Sequence, residues 1–90
     1  MSAMIFLLLV TGSIFSNAEE KTGVSKVVFY VAWYDAGKAA LEGLQGVIKV
    51  EKGFRGFKEI NTVSYDPTLI TIKEMEEALK KAGTYQGTVK

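Results

Sequence analysis

The chain has 90 residues, 48% of them hydrophobic, and a formal net charge of +1 from 11 basic and 10 acidic side chains. That length allows one domain, and the near balance of charge gives no electrostatic reason to expect nucleic acid or an anionic membrane as partner. Cysteine and histidine are both absent, which removes disulfides, thiolate nucleophiles, Zn–S and Cu–S sites, the commonest general base and the commonest metal ligand. The composition argues against an enzyme, and no cofactor is expected, because a soft metal ion finds neither Cys nor His.

Residues 1–18 carry no charge, and Met4 to Val10 is an unbroken apolar run. Thr11-Gly12-Ser13 loosens it, and Ser16-Asn17-Ala18 follows with small residues at its first and third places. This is the shape of a secretory signal cleaved after Ala18. Retention as an anchor and burial as an N-terminal element are the other readings, although the run is short for a span of about 20 apolar residues. The expected localisation is therefore exported, periplasmic or secreted, with membrane contact only through this segment if it is uncleaved.

Residues 19–26 read as a linker. Val27 to Trp33 is rich in β-branched and aromatic residues and reads as a central strand. Asp35 is placed to cap a short helix through Ala36, Ala40, Leu41 and Leu44, which Gly46 stops. Val47 to Lys52 and Glu59 to Tyr65 read as two strands joined by a longish hairpin loop over Gly53 to Phe57. Asp66-Pro67 ends the second. Thr71-Ile72-Lys73-Glu74 is a capping box, and the helix behind it puts Ile72, Met75, Ala78, Leu79 and Ala82 on one stripe. Glu76 with Lys80 and Glu77 with Lys81 are expected i,i+4 pairs. Gly83 closes the helix, and Thr84 to Val89 reads as an edge strand.

The order predicts an α+β fold over residues 27–90: a ferredoxin-like βαββαβ sandwich, with a four-stranded antiparallel sheet and two helices on one face. Phe29, Val31, Leu41, Leu44, Val47, Val63, Met75 and Leu79 are the expected core. The other sheet face stays open, with Tyr30 or Tyr65 on it.

Three segments resemble the heavy-metal-associated (HMA) domain. Ala40-Leu41-Glu42-Gly43-Leu44-Gln45-Gly46-Val47 is similar to that family's first helix end and "GV". Val63-Ser64-Tyr65-Asp66-Pro67 is similar to its "V-x-Y-D-P" strand end. Ile72 through Ala82-Gly83, then Tyr85, resembles its second helix and "A-G-Y" finish, with Thr84 intervening. The match covers about residues 27–85, and the chain resembles the family's small exported members, which include periplasmic mercury-binding and copper-chaperone-like proteins. The resemblance implies a metal-transport or metal-binding role, for which the family uses M-x-C-x-x-C between first strand and first helix, where thiolates hold soft ions. The ungapped equivalents of those cysteines fall near Tyr30 and Trp33, and the loop reads Trp33-Tyr34-Asp35-Ala36-Gly37-Lys38. No metal ligand carries over.

Two places remain as candidate sites. In the loop, Trp33 and Tyr34 offer amphipathic area, Lys38 a charge, and Asp35 and Gly37 begin the helix, whose free N–H groups could meet an anion. In the hairpin, Phe54, Arg55 and Phe57 could form a protein-contact tip. Asp35, Glu59 and Asp66 are oxygen donors, but they form no cluster of the size a hard cation needs. Met75 is a thioether on an apolar stripe and is assigned to the core. The expected function is a small exported binding or protein-interaction module with an envelope protein as partner. The alternative is a metal-binding or cation-transport accessory using non-cysteine ligands. The sequence gives no oligomeric state.

Overall fold

A computed structural model of the chain describes residues 23–90. The expected signal segment, residues 1–18, and residues 19–22 of the expected linker lie outside the described residues. The elements are β1 (Ser25–Val31), α1 (Tyr34–Glu42), β2 (Val47–Arg55), β3 (Lys58–Tyr65), α2 (Ile72–Lys81) and β4 (Tyr85–Thr88). They form one antiparallel sheet in the order β2-β3-β1-β4, with both helices on one face, as the ferredoxin-like pattern requires.

β1 begins and ends two residues earlier than its composition suggested. Alternation then turns Val27, Phe29 and Val31 inward. These meet Val63 and Tyr65 of β3, Leu41 of α1, and Met75 and Leu79 of α2, with Val50 and Ile70 completing the core. Tyr65 is buried, so of the two tyrosines only Tyr30 lies on the open sheet face. Leu44 and Val47, expected inside, are half-buried and pack against the core.

Val47 and Val50 both turn toward the helices although they differ in parity along β2. A register shift between Val47 and Lys49 makes this possible, since an extra residue flips the alternation. Ile48 is that extra residue and is 58% exposed. The β2–β3 connection is tighter than the sequence suggested. Arg55 pairs with Lys58, leaving a two-residue turn at Gly56-Phe57. Gly56 has φ +66 and Phe57 is not left-handed, which is the II′ rather than the I′ pattern.

The three segments that carried the family resemblance lie at the closures of the fold. Gly46 has φ +98, and a Cβ there would come within 3.0 Å of Leu69 and Ile70. Its carbonyl accepts from the Asp66 amide at 2.8 Å, while Asp66 Oδ1 accepts from the Thr68 amide at 2.9 Å and its hydroxyl at 2.7 Å. The Gly-Val and Tyr-Asp-Pro segments therefore hold each other. The capping box of α2 forms as expected, with Glu74 N donating to Thr71 Oγ1 at 3.1 Å and Thr71 N to Glu74 Oε1 at 2.9 Å. At the other end of α2, Thr84 N donates to Leu79 O and Gly83 N to Lys80 O, which is a Schellman closure. The expected i,i+4 pairs on α2 do not form. Lys80 instead reaches Glu77 at 3.5 Å, and Glu76 accepts from the hydroxyls of Thr88 at 2.6 Å and Tyr85 at 3.3 Å.

Candidate functional site

β1 and β2 run in the same direction, because each is antiparallel to β3. Their last residues therefore share one end of the domain with the first residues of β3 and β4. The β1–α1 loop, the β2–β3 turn and the α2–β4 connection meet there, and we call this the loop end.

The loop is fastened from a distance. Thr84, almost fully buried, accepts from the Trp33 amide through Oγ1 at 2.9 Å and donates from the same hydroxyl to the Trp33 carbonyl at 3.3 Å. Its own carbonyl accepts from the Ala32 amide at 2.8 Å. Thr84 is the residue that intervenes between Gly83 and Tyr85, and the Schellman closure of α2 sets its position.

Asp35 does not cap α1. The N-cap position falls on Trp33, whose side chain makes no capping bond. The Tyr34 amide instead donates to Glu59 Oε1 of β3 at 2.7 Å, which sets a carboxylate against the positive end of the helix. The place an anion would take at that amide is filled by the chain itself. Asn61, two residues along the same face of β3, donates from Nδ2 to the Tyr34 carbonyl at 3.1 Å. Its Oδ1 is buried with no hydrogen-bond partner and lies against Gly37, where a Cβ would fall on it. Gly37 is thus a packing residue: without a side chain it lets α1 close onto Asn61 of β3.

Asp35 turns outward and accepts from Lys52 Nζ of β2 at 2.7 Å. That hydrogen bond, then the carboxylate's charge, holds the Lys52 pKa above its usual 10.5 against a smaller desolvation effect. The same ammonium lies 5.3 Å from the centre of the Tyr34 ring. Phe54 packs edge-on against that ring, with centroids 5.5 Å apart. The two candidate places from the sequence therefore touch through Tyr34, Asp35 and Phe54.

Around this knot the aromatic area is open. Trp33 is 64% exposed, Phe54 61%, and Phe57 fully exposed. Arg55 and Lys58, paired across the turn, have no carboxylate in ion-pair range among the described residues; they alternate to the open sheet face, where Lys58 sits 5.6 Å from the Tyr30 ring centre. Lys38 belongs elsewhere: it pairs with Glu42 on the flank of α1 at 3.5 Å. Sequence reasoning missed Lys52, Asn61 and Thr84 here and named Glu59 only as an oxygen donor. The available signal was polarity on an inward face, since Glu59 and Asn61 alternate into the row of Val63 and Tyr65.

Among the described residues, no three His, Cys, Asp or Glu side chains are grouped as a metal site would require. Asp35 and Asp66 lie at opposite ends of the domain, and Met75 is fully buried.

No protein-family model matches the chain, and no curated protein matches it. Among solved structures, a copper binding domain from HMA7, a P-type ATPase, is similar at 21% sequence identity and a TM-score of 0.60, over 72% of this chain and 93% of that one. The chain shares the ferredoxin-like, HMA-type fold of that domain.

Proposed function

We propose that this chain is an exported, metal-independent binding module that takes a protein partner on its loop end. The carrying observation is that the exposed aromatics Trp33, Phe54 and Phe57 all lie at one end of the domain, around a loop that Thr84, Glu59 and Asn61 hold in place. Aromatic and Arg side chains dominate binding energy at protein interfaces, and a loop ordered in advance loses little entropy on binding. Arg55 and Lys58, on the other side of the same turn, suit an acidic rim on the partner, and the signal-like pattern of residues 1–18 supports a partner in the cell envelope.

The similar solved domain binds copper in its own protein. This chain has no thiol and no imidazole to offer at the corresponding end, so its fold is better read as a scaffold than as a metal carrier. No catalytic constellation is assigned.

Photo-crosslinking from the Phe57 position in the source cell envelope tests the reading. One envelope protein should be captured, and Trp33→Ala with Phe54→Ala should abolish the capture. Loss of an aromatic anchor of this kind costs on the order of 2 kcal/mol, roughly 30-fold in Kd. Capture that is indifferent to both substitutions refutes the proposal. Titration with Cu(I), Zn(II), Hg(II) and Ni(II) should give only weak, nonspecific binding. A tight stoichiometric complex would return the chain to metal handling through non-cysteine ligands.

A further inference from the structure

The open face of the sheet carries an uneven charge that the near-neutral total conceals. Alternation from the inward Val27, Val50 and Val63 turns Lys26, Lys49, Arg55 and Lys58 to this face, and Glu51 with them. Every other acidic side chain of the described residues belongs to a helix, to the helix side of β3 at Glu59, or to the connection after β3, where Asp66 holds Thr68. Glu51 is matched by Lys49 at 3.4 Å. Lys26, Arg55 and Lys58 have no carboxylate in ion-pair range among the described residues.

The register sets these cations at two ends of the face. Ser64 pairs with Lys26 on one side and Lys49 on the other, while Lys58 pairs with Arg55. Along β3, Ser64 and Lys58 stand about 20 Å apart. Between the two basic ends lie Val28 beside Thr62 and Tyr30 beside Ile60, all half-buried. Glycines flank the second of these rows, since Gly53 pairs with Ile60 and Gly87 with Tyr30. A Cβ at either glycine would stand 3.7 Å from that neighbour's side chain. Their absence leaves bare backbone on both sides of the tyrosine ring and the isoleucine.

We propose that this face holds an acidic polypeptide segment of the partner, with carboxylates about 20 Å apart and apolar side chains between them. The inference rests on the partner reading above and names that partner's chemistry. An extended segment alternates its side chains with the same period as the sheet beneath it. Acids about six positions apart therefore reach both basic ends, and the same-side residues between them meet Val28 and Tyr30. Arg55 and Lys58 adjoin the Phe57 turn, so the segment continues from the loop end without a break. A single-stranded nucleic acid is the poorer fit. Its bases need successive open aromatic planes, whereas the strands give this face one ring, Tyr30, half-buried with the Lys58 ammonium 5.6 Å from its centre.

Two synthetic peptides of one composition test this on the full chain by NMR titration. One has glutamates about six positions apart with valines between them, and the other has the glutamates adjacent. The spaced peptide should bind about 5-fold tighter, the fold-change of one further exposed ion pair. The largest shifts should fall on the amides of Lys26, Tyr30, Thr62 and Lys58. Lys26→Glu should remove the preference and weaken capture from the Phe57 crosslinker by a similar factor. Lys26 is exposed and has no ion pair to lose, so thermal unfolding should be unchanged. Capture that ignores Lys26→Glu but is lost with Trp33→Ala and Phe54→Ala overturns this inference and leaves the loop-end reading in place. No capture at all refutes that reading, while the titration still decides the face. Equal affinity for the two peptides, shifts confined to the helices or the loop end, or tighter binding of oligothymidylate than of the spaced peptide would each overturn the proposal.

Discussion

Replacing Gly37 by alanine tests the packing of α1 on β3. In an exposed helix the change would stabilise by up to about 1 kcal/mol. Here the new methyl falls on Asn61 Oδ1 and lies 3.3 Å from Val31 Cγ1. Asn61 is fully buried and must shift. Overpacking of this kind costs about 1–3 kcal/mol, and loss of the Asn61–Tyr34 hydrogen bond adds about 1 kcal/mol. The expected net destabilisation is about 2 kcal/mol, read as a lower urea midpoint at constant slope. Asn61→Ala alone loses that hydrogen bond but also removes a buried carbonyl oxygen without a partner. It should therefore stay within about 1 kcal/mol of the parent. In that background Gly37→Ala should cost nothing or stabilise by up to about 1 kcal/mol, for a coupling of about 2–3 kcal/mol. An equal cost of Gly37→Ala in both backgrounds would refute the contact and the reason given for the glycine.

Three further outcomes follow from the same geometry. Thr84→Val keeps the shape but leaves the Trp33 amide without its acceptor, so stability should fall by about 1–3 kcal/mol. Hydrogen exchange at Trp33 should accelerate more than at Val63, and equal protection would remove Thr84 from the account of the loop. Glu59→Ala should cost about 1 kcal/mol, as loss of an N-cap does, with Glu59→Gln recovering most of it in chemical denaturation. The Asp66 carboxyl is held below its usual value of 3.8 by the Thr68 hydroxyl and amide. Its contribution is present above the unfolded value and lost as pH falls through the lowered one. Lys52 is the opposite case: its raised pKa gives a contribution present below 10.5 and lost as pH rises through the folded value. Asp66→Asn should therefore flatten the acid limb of stability against pH, and Lys52→Met the alkaline limb. A change confined to the other limb in either variant would contradict the assignment.

Much of the fold was legible because its signals are local. The stripe Met75, Ala78, Leu79, the Thr71–Glu74 box and the alternation of β3 each lie within a few residues. What escaped depends on distance along the chain. Asp35 resembled an N-cap by sequence position, but the Tyr34 amide finds its carboxylate 25 residues on, at Glu59. Thr84 reaches Trp33 across 51 residues, with nothing near either residue to announce it. Alternation paired Tyr65 with Val63, yet it could not say that this row faces the helices until Phe29 and Val31 stood beside it. Val47 and Val50 required a bulge that no single-strand pattern shows. The loop and the hairpin were each singled out, but their union through Tyr34, Phe54 and Lys52 depended on β1 and β2 running the same way across β3.

The resemblance and the site rest on different parts of the molecule. Gly46, Asp66 and Gly83, which carried much of the resemblance, close a turn, an adjoining connection and a helix end. Any chain with this topology must solve those closures, so shared residues there transmit shape. In a thiolate site the metal itself ties the loop to the helix start. In this chain Thr84, Glu59 and Asn61 make that tie with hydrogen bonds to Trp33 and Tyr34. The proposed partner surface joins Trp33 of this loop to Phe54 of β2 and Phe57 of the β2–β3 turn, so it draws on segments that the shape-carrying closures at Gly46, Asp66 and Gly83 do not contain.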